Sequence, residues 1–531
     1  MSDEANAPRR NPRTTTRLWL GALSGILAGG AALAVAELVA AAVRPQAGPV
    51  VAVGGAAIDR TPAAVKDWAI RAFGTDDKLV LRLGILTVLA LFALALGVLA
   101  ARHRRTGAAG VLAFGAVGAA AATSRPDSTS LTDALPSVVG ALAGAALLYL
   151  LAGRLPAAPR GAGQEPGEGW DRRRFLLAAT AAAAASAGAG AVGRGLNGAG
   201  GREAVASRRN IDLPPPASRA PAVPRGAQVG VAGVGPFITP NADFYRVDTA
   251  LVVPKVDAGA WRLRIHGDGV TREQTLTFDD LLRRELIERD ITLTCVSNEV
   301  GGPYVGNARW TGVRLAGLLE ECGVRPPSKG GPADQLVARS VDGMTIGSPV
   351  EDVMDGRDAM LAVGMNGEPL PFDHGFPVRM LVPGLYGYVS ACKWIEDIEL
   401  TTFDAYDAYW VKRDWAREAP VKTQSRIDTP KPFARPEAGV VMVAGVAWAQ
   451  HRGIDKVEVR VDDGPWQEAT LAAEDTRDTW RQWSCAWQAT KGGHTLTVRA
   501  TDRTGEAQTE KRTRTVPDGA DGWHSVVVTV E

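Results

Sequence analysis

Apolar residues fall in two textures along this chain. In the first third they form long unbroken runs, at 18–43, 79–101, 107–123, 135–153 and 175–192; beyond residue 236 they alternate with polar residues in short stretches. A helix that crosses a bilayer needs about 20 predominantly apolar residues. The runs therefore predict about five transmembrane helices within residues 1–193, the weakest being the short Ala- and Gly-rich run at 107–123. Short alternations bounded by Gly, Pro and Asp predict strands. "WRLRIHGDGV" alternates Trp261, Leu263 and Ile265, and "ITLTCVS" ends an apolar strand at Cys295. Between them, Asp280 opens a short helix in "LTFDDLLRREL". "LAGLLEECGV" reads as an amphipathic helix closed by Gly323. This mixture predicts an α+β domain over 236–428. After Pro436 only strands remain ("VVMVAGVAW", "KVEVRVDDGPW", "RQWSCAWQA", "HTLTVRATD"), which predicts an immunoglobulin-like β-sandwich over 429–531.

Charge orients the anchor. Arg9, Arg10, Arg13 and Arg17 precede the first run, Arg102, Arg104 and Arg105 separate the second from the third, and Arg154, Arg160, Arg172, Arg173 and Arg174 separate the fourth from the fifth. Arginines mark cytoplasmic loops. The loop over 44–78 also holds basic residues, but Asp59, Asp67, Asp76 and Asp77 accompany them. An odd number of spans starting inside predicts a multi-pass cell-membrane protein whose C-terminal part lies outside the cytoplasm. Arg172-Arg173-Arg174-Phe175-Leu176 resembles a twin-arginine export signal, although arginines that merely orient a helix look the same. Residues 161–169 read as linker, and 194–235, rich in Pro and Ala, as an extended tether.

Composition removes several classes. A net charge of +1 and no basic patch interleaved with aromatics give no nucleic-acid partner. His103, in a cytoplasmic loop, is the sole histidine before residue 200, so the spans lack the paired ligands of a haem. The 4 cysteines, Cys295, Cys322, Cys392 and Cys485, form no CxxC pair. Cys322 and Cys485 read as core residues. On spacing alone Cys295 reads either as inert core or as a thiolate that holds a metal.

Three stretches decide between those readings. "LTCVSNEVGGPYVGNARWTGVRLAGLL", "MNGEPLPFDHGFPVRMLVPGLYGYVSACKWIEDIEL" and "PVKTQSRIDTP" resemble, in this order, the molybdenum-binding and sandwich-leading segments of the sulfite oxidase family. The resemblance spans 237–531; the five-span anchor lies outside the family pattern. It implies a molybdenum–molybdopterin cofactor with Cys295 as the thiolate ligand, a soft donor suited to that metal. It further implies that His374 and Arg379 contact the pterin and its phosphate, that Ser390, Cys392 and Lys393 wrap its other side, and that Asn241, Phe244, Tyr245 and Arg246 form the entry motif. Arg309 is expected to pin the loop after Cys295.

The departures bear on the substrate. Sulfite oxidases place paired arginines shortly after the ligand cysteine, where this chain has Asn298, Glu299 and Val300. An acidic side chain there disfavours a doubly charged anion, leaving Arg246 and Lys412 as candidate cations. The expected function is oxygen-atom transfer on a small sulfite-like or S-/N-oxide substrate, with Cys295 and Arg246 at the reacting centre. The alternatives are a reductase of sulfoxide-like groups and a non-catalytic cell-surface interaction module. With no haem domain, electrons would pass through a separate electron-transfer protein or a quinone-linked partner. The sandwich suggests a homodimer.

Overall fold

The computed structural model describes residues 12–62, 65, 72–73, 77–125, 128, 130–155 and 172–531. Arg9, Arg10, Asp67, Asp76, Arg160 and the 161–169 linker lie outside them. The chain divides into two compact units. One comprises the N-terminal helices up to Arg202 together with Thr249–Val252; the other comprises Glu203–Asp248 and Val253–Glu531.

The first unit is built from α1 (Pro12–Val43), α2 (Pro49–Arg60), α3 (Asp77–Arg102), α4 (Arg104–Thr123), α5 (Leu135–Ala152) and most of α6 (Arg172–Arg209). Among the described residues, five stretches are long and apolar enough to cross a membrane: Thr15–Val43, Leu79–Arg102, Arg104–Thr123, Leu131–Ala152 and Arg173–Arg209. Small residues let these helices approach closely. A Cβ on Gly140 would run into the backbone of Ala32, and one on Gly144 into Ala28 and Ala32, so α5 lies directly on α1. Two expectations change here. The loop over 44–78 contains α2, which Pro49 starts at a position where its missing N–H costs nothing. The tether expected from 194 is helical as far as Arg209.

Residues beyond Arg209 are no free tether either. Ala217 N donates to Leu286 O (2.8 Å) and Glu288 N to Ser218 O (2.8 Å), laying this segment along a strand as a strap. The α+β core has two sheets. In one, the order is Gln274–Thr277, Arg262–Gly267, Ile395–Thr401, Gln335–Ser340, Thr345–Pro349, with only Arg262–Gly267 and Ile395–Thr401 parallel. In the other, Leu286–Thr294, Val305–Arg314, Met360–Met365 and Glu368–Pro369 run antiparallel, and Arg379–Leu381 also pairs with Met360–Met365. Every residue of Met360–Met365 is buried, as its unbroken apolar sequence requires. The short helix Phe278–Leu282 is capped by Thr277; Asp280 closes a reciprocal capping box from its third position, so it supports the cap and does not form it.

The C-terminal part holds two antiparallel four-stranded sheets. Gln424–Thr429, Gly439–Trp448, Arg481–Ala489 and Thr470–Leu471 form one; Gln467–Glu468, Ile454–Val461, Gly492–Asp502 and His524–Val530 form the other. Val443 and Trp483 of the first share a core with Val457 and Val498 of the second. The first strand begins at Gln424, ahead of the expected boundary at 429. Cys322 is buried, and half-buried Cys485 packs against the sandwich core.

The sandwich meets the α+β core through polar groups. Gln450 Nε2 donates to Thr292 O and Thr294 Oγ1, and Trp480 N donates to Thr292 Oγ1. Asp475 faces Asp290, which Arg309 holds with two hydrogen bonds (2.8 and 2.7 Å). Asp475 Oδ2 is buried and receives no hydrogen bond from a described residue. Burial and then the neighbouring Asp290 push its carboxyl up to about 7. A carboxyl raised on folding gives stability that is complete below its unfolded value and is lost as pH rises through the folded one. Relative to the wild type, Asp475→Asn should therefore gain in melting temperature as pH rises from about 4 to 8; scans across that range check the prediction, and parallel curves would refute it.

Candidate functional site

Cys295 follows the strand Leu286–Thr294 and opens a loop that returns at Tyr304, whose carbonyl accepts the Cys295 N–H at 3.0 Å. Asn298 is buried and closes this loop from within: its Oδ1 accepts from Tyr304 N at 2.8 Å. Asn298 is thus a structural staple of the loop; of the two residues that stand where sulfite oxidases carry arginines, Glu299 is exposed and Val300 is buried. The loop's glycines press on the sandwich. Arg426 Nη1 donates to Gly302 O at 2.9 Å, and a Cβ on Gly301, at φ +77, would strike the His524 ring.

A second turn brings three predicted residues together. Phe372–His374 forms a 3-10 turn closed by Gly375 at φ +109, a conformation other residues adopt only under strain. A Cβ on Gly375 would sit 3.0 Å from Arg379 Cβ and 3.1 Å from Lys393 Cα, so glycine is what lets His374, Arg379 and Lys393 converge.

Arg379 is buried, with its guanidinium 5.2 Å from the centre of the Trp310 ring. Nη1 donates to His374 O at 3.3 Å, while Nε is buried without a hydrogen-bond partner. Burial lowers its pKa to about 10, which leaves it charged at neutral pH. His374 Nε2 lies 3.0 Å from Asn241 O. A carbonyl can only accept, so Nε2 carries the proton and Nδ1 remains an acceptor. Burial, followed by the nearby Arg379, lowers its pKa to about 4, so the ring is neutral.

The entry motif packs as an aromatic wall. Phe244 stacks on Tyr245 (5.1 Å) and sets its ring edge-on to Trp310 (5.8 Å) and His374 (5.5 Å). Tyr245 lies near both Cys295 and Arg379. Burial and then the Cys295 sulfur raise its pKa well above the usual phenol range, so its hydroxyl stays protonated.

Other predicted residues are occupied by the protein itself. Asn241 donates to Glu368 Oε1 (2.7 Å) and Met365 O (3.3 Å) and accepts from Asn366 Nδ2 (2.8 Å). Ser390 is buried and donates to Leu385 O and Tyr386 O. Cys392 is buried, and burial raises its thiol pKa, as it does those of Cys322 and Cys485. Lys393 Nζ bonds Asp248 Oδ2 and Asp373 O, each at 3.0 Å. Arg246 pairs with Asp373 at 3.2 Å and with Asp248 at 3.9 Å. Asp248 thus meets both Arg246 and Lys393, while Asp373 offers its carboxylate to Arg246 and its backbone carbonyl to Lys393; sequence reasoning passed over both acids, although Asp248 lies only two residues beyond Arg246. Lys412 sits over the Tyr406 ring. Arg309 pins the strap through Pro221 O and the strand through Asp290, not the loop after Cys295.

A cavity of about 440 Å³ lies elsewhere, lined by Ser218, Arg289, Asp290, His451 and Asp478 among others. Two of its charged groups are paired within the protein, Arg289 with Asp358 and His451 with Asp478. The chemistry gathers around Cys295 and Arg379 instead.

These features fit a molybdopterin-binding domain. Residues 250–410 match the family model of the oxidoreductase molybdopterin binding domain, and the chain carries such a domain of the sulfite oxidase family. Mitochondrial sulfite oxidase of Rattus norvegicus is 31% identical over 288 residues, covering 46% of this chain and 52% of that protein. Nitrate reductase [NADH] 1 of Oryza sativa subsp. japonica is 34% identical over 199 residues, 33% of this chain and 21% of that protein. Among solved structures, the sulfane dehydrogenase SoxCD from Paracoccus pantotrophus aligns with a TM-score of 0.48 and 25% identity over 55% of this chain and 83% of that one. The chain spans about half the length of the sulfite oxidases it matches.

The Lys393–Asp248 pair yields a stability prediction. Both side chains are nearly buried, at 9% and 4% exposure. Lys393→Ala would take from Asp248 its ion-pair partner at 3.0 Å, while Arg246 lies farther off at 3.9 Å. Removing one partner of a buried pair costs ~3 kcal/mol. Urea unfolding of the detergent-solubilised protein should show a loss of that size, and a loss under ~1 kcal/mol, the worth of an exposed pair, would refute it.

Proposed function

We propose that this chain is a membrane-anchored molybdenum–pterin enzyme that transfers an oxygen atom to or from a small substrate outside the cytoplasm. The observation that carries the reading is the buried Arg379, charged and with Nε lacking a hydrogen-bond partner among the described residues, close to the same Tyr245 that lies near the Cys295 sulfur. A dry guanidinium with a spare donor fits an anionic, hydrogen-bonding ligand. A half-buried thiol beside it fits a soft metal. Cys295 would bind the metal, Arg379 would hold the cofactor's phosphate or pterin oxygens, and His374 Nδ1 would accept a pterin N–H. When bound, the cofactor supplies the redox-active metal and the exchangeable oxygen.

The remaining residues orient, exclude water and place protons. Tyr245, held protonated next to Cys295, supplies a hydroxyl that donates to a sulfur or oxygen atom there. Phe244 and Trp310 fix that hydroxyl and the Arg379 guanidinium in place. Ser390, Cys392 and Asn241 shape the wall through the backbone they hold.

Charge favours an uncharged oxide over a dianion. Arg246 and Lys393 are set against Asp248 and Asp373, and Asn298 is turned into its loop. Arg379 has no acidic partner among the described residues and is assigned to the cofactor, and Lys412 lies over the Tyr406 ring. A reductase of S- or N-oxides is therefore the reading this balance supports within oxygen-atom transfer. Electrons would come through a separate electron-transfer protein or a quinone-linked partner. The arginine bias supports an extracytoplasmic catalytic unit, and an immunoglobulin-type sandwich would offer a surface for a homodimer.

Two experiments test the proposal. Purified protein should contain close to one molybdenum and one pterin per chain, and with a reduced dye as donor it should turn over S-oxides or N-oxides faster than it oxidises sulfite. Cys295→Ala should keep the fold and lose turnover by at least about a thousandfold, as expected for loss of a metal's activating ligand set; full turnover by that variant would end the assignment. Reporters fused after Glu531 and after Arg105 should be active outside and inside the cytoplasm, respectively. A cytoplasmic reporter at Glu531 would overturn the topology and leave the cofactor untouched.

A further inference from the structure

The last turn of α6 carries Arg208. Its Nε donates to Leu370 O at 2.7 Å, and its Nη2 donates to Pro369 O at 2.6 Å and to Glu368 Oε2 at 3.1 Å. The other Glu368 oxygen accepts from Asn241 Nδ2 at 2.7 Å, and the Asn241 carbonyl accepts from His374 Nε2 at 3.0 Å. One hydrogen-bonded series thus runs from the end of a helix to the imidazole that faces the pocket. The Asn241 side chain is held on both sides, since Asn366 Nδ2 donates to its oxygen.

The ion pair in this series is half in water: the side chains of Arg208 and Glu368 are 24% and 53% exposed. A pair like that adds little stability by itself. What distinguishes it is direction. Arg208 engages three acceptors on consecutive residues at once, which a point-charge lysine cannot reproduce. The tautomer of His374 depends on the carbonyl at the other end of the series, and such outer partners commonly set how well a buried ligand-binding ring performs.

We propose that Arg208 is a positioning residue for the cofactor pocket: through Glu368 and Asn241 it holds His374 in the orientation and tautomer that retain the pterin. This rests on the cofactor reading above. The role belongs to retention and not to the chemistry of turnover.

The test uses the full chain in detergent, as wild type, Arg208→Ala, Arg208→Lys, Glu368→Gln, the double variant Arg208→Ala/Glu368→Gln, and Arg209→Ala as an exposed neighbour. Molybdenum and pterin per chain are followed over time in urea below the unfolding transition. Arg208→Ala and Glu368→Gln should lose cofactor about tenfold faster than wild type. Turnover per bound molybdenum should be unchanged. The double variant should be no faster than either single one, because the residues act in series. Arg208→Lys should fall between, and Arg209→Ala should behave as wild type. If Arg208→Ala does not fold, Glu368→Gln alone decides, because it keeps an acceptor for Asn241 and disrupts only the link to Arg208. Equal retention in all variants overturns the proposal. So does a faster loss matched by an equal fall in the melting temperature of the cofactor-free protein, which would mark general destabilisation. A wild type without molybdenum and pterin would instead remove the cofactor reading itself, an outcome separable from a loss confined to the variants.

Discussion

The site depends on one difficult placement, the burial of the Arg379 guanidinium. Moving such a group out of water is costly unless its donors find acceptors. The protein meets this only in part, with the Trp310 ring at 5.2 Å and the His374 carbonyl at 3.3 Å, and Nε is left unmatched. The surrounding geometry follows from that placement. Gly375 is required so that the turn can pass between Arg379 and Lys393, and His374 is kept neutral by its burial and then by repulsion from Arg379. The aromatic wall of Phe244 and Trp310 excludes the water that would otherwise satisfy the guanidinium.

Around this unmatched donor the other charges cancel locally. Arg246 and Lys393 share Asp248 and Asp373, and Arg309 is balanced by Asp290. Local cancellation concentrates the attractive field at one point. It also makes the pocket a poor host for a second multiply charged species once the first anion is in place.

The long elements were readable because their patterns are strong. Five apolar runs appear as helices, and the alternating strands after Pro436 appear as two facing sheets. Boundaries were less visible. The Ala- and Gly-rich 194–209 has the composition of a linker, but it continues a helix already nucleated upstream, and propagating a helix costs far less than starting one. α2 was hidden because its apolar stretch is too short to stand out against the spans. At the site, the family motifs marked Cys295, His374 and Arg379, whereas pairing lay beyond one-dimensional reading. Nothing in "NADFYRVD" or "PFDHG" says that Asp248 and Asp373 meet the same two cations, because that contact joins segments far apart in sequence. The role of Asn298 was hidden for a related reason: its amide oxygen closes its own loop by accepting from Tyr304 N.

The loop after Cys295 is completed by residues that come much later in the chain. Gly302 is held by Arg426, and Gly301 rests on the ring of His524 in the last strand of the sandwich. Translation must therefore pass both positions before the walls around the thiol can close. During synthesis the α+β core can collapse first, but its pocket stays open on one side until the final strand adds to its sheet. That order leaves an interval in which a bulky organic ligand can enter, and the last strand then acts as the closure.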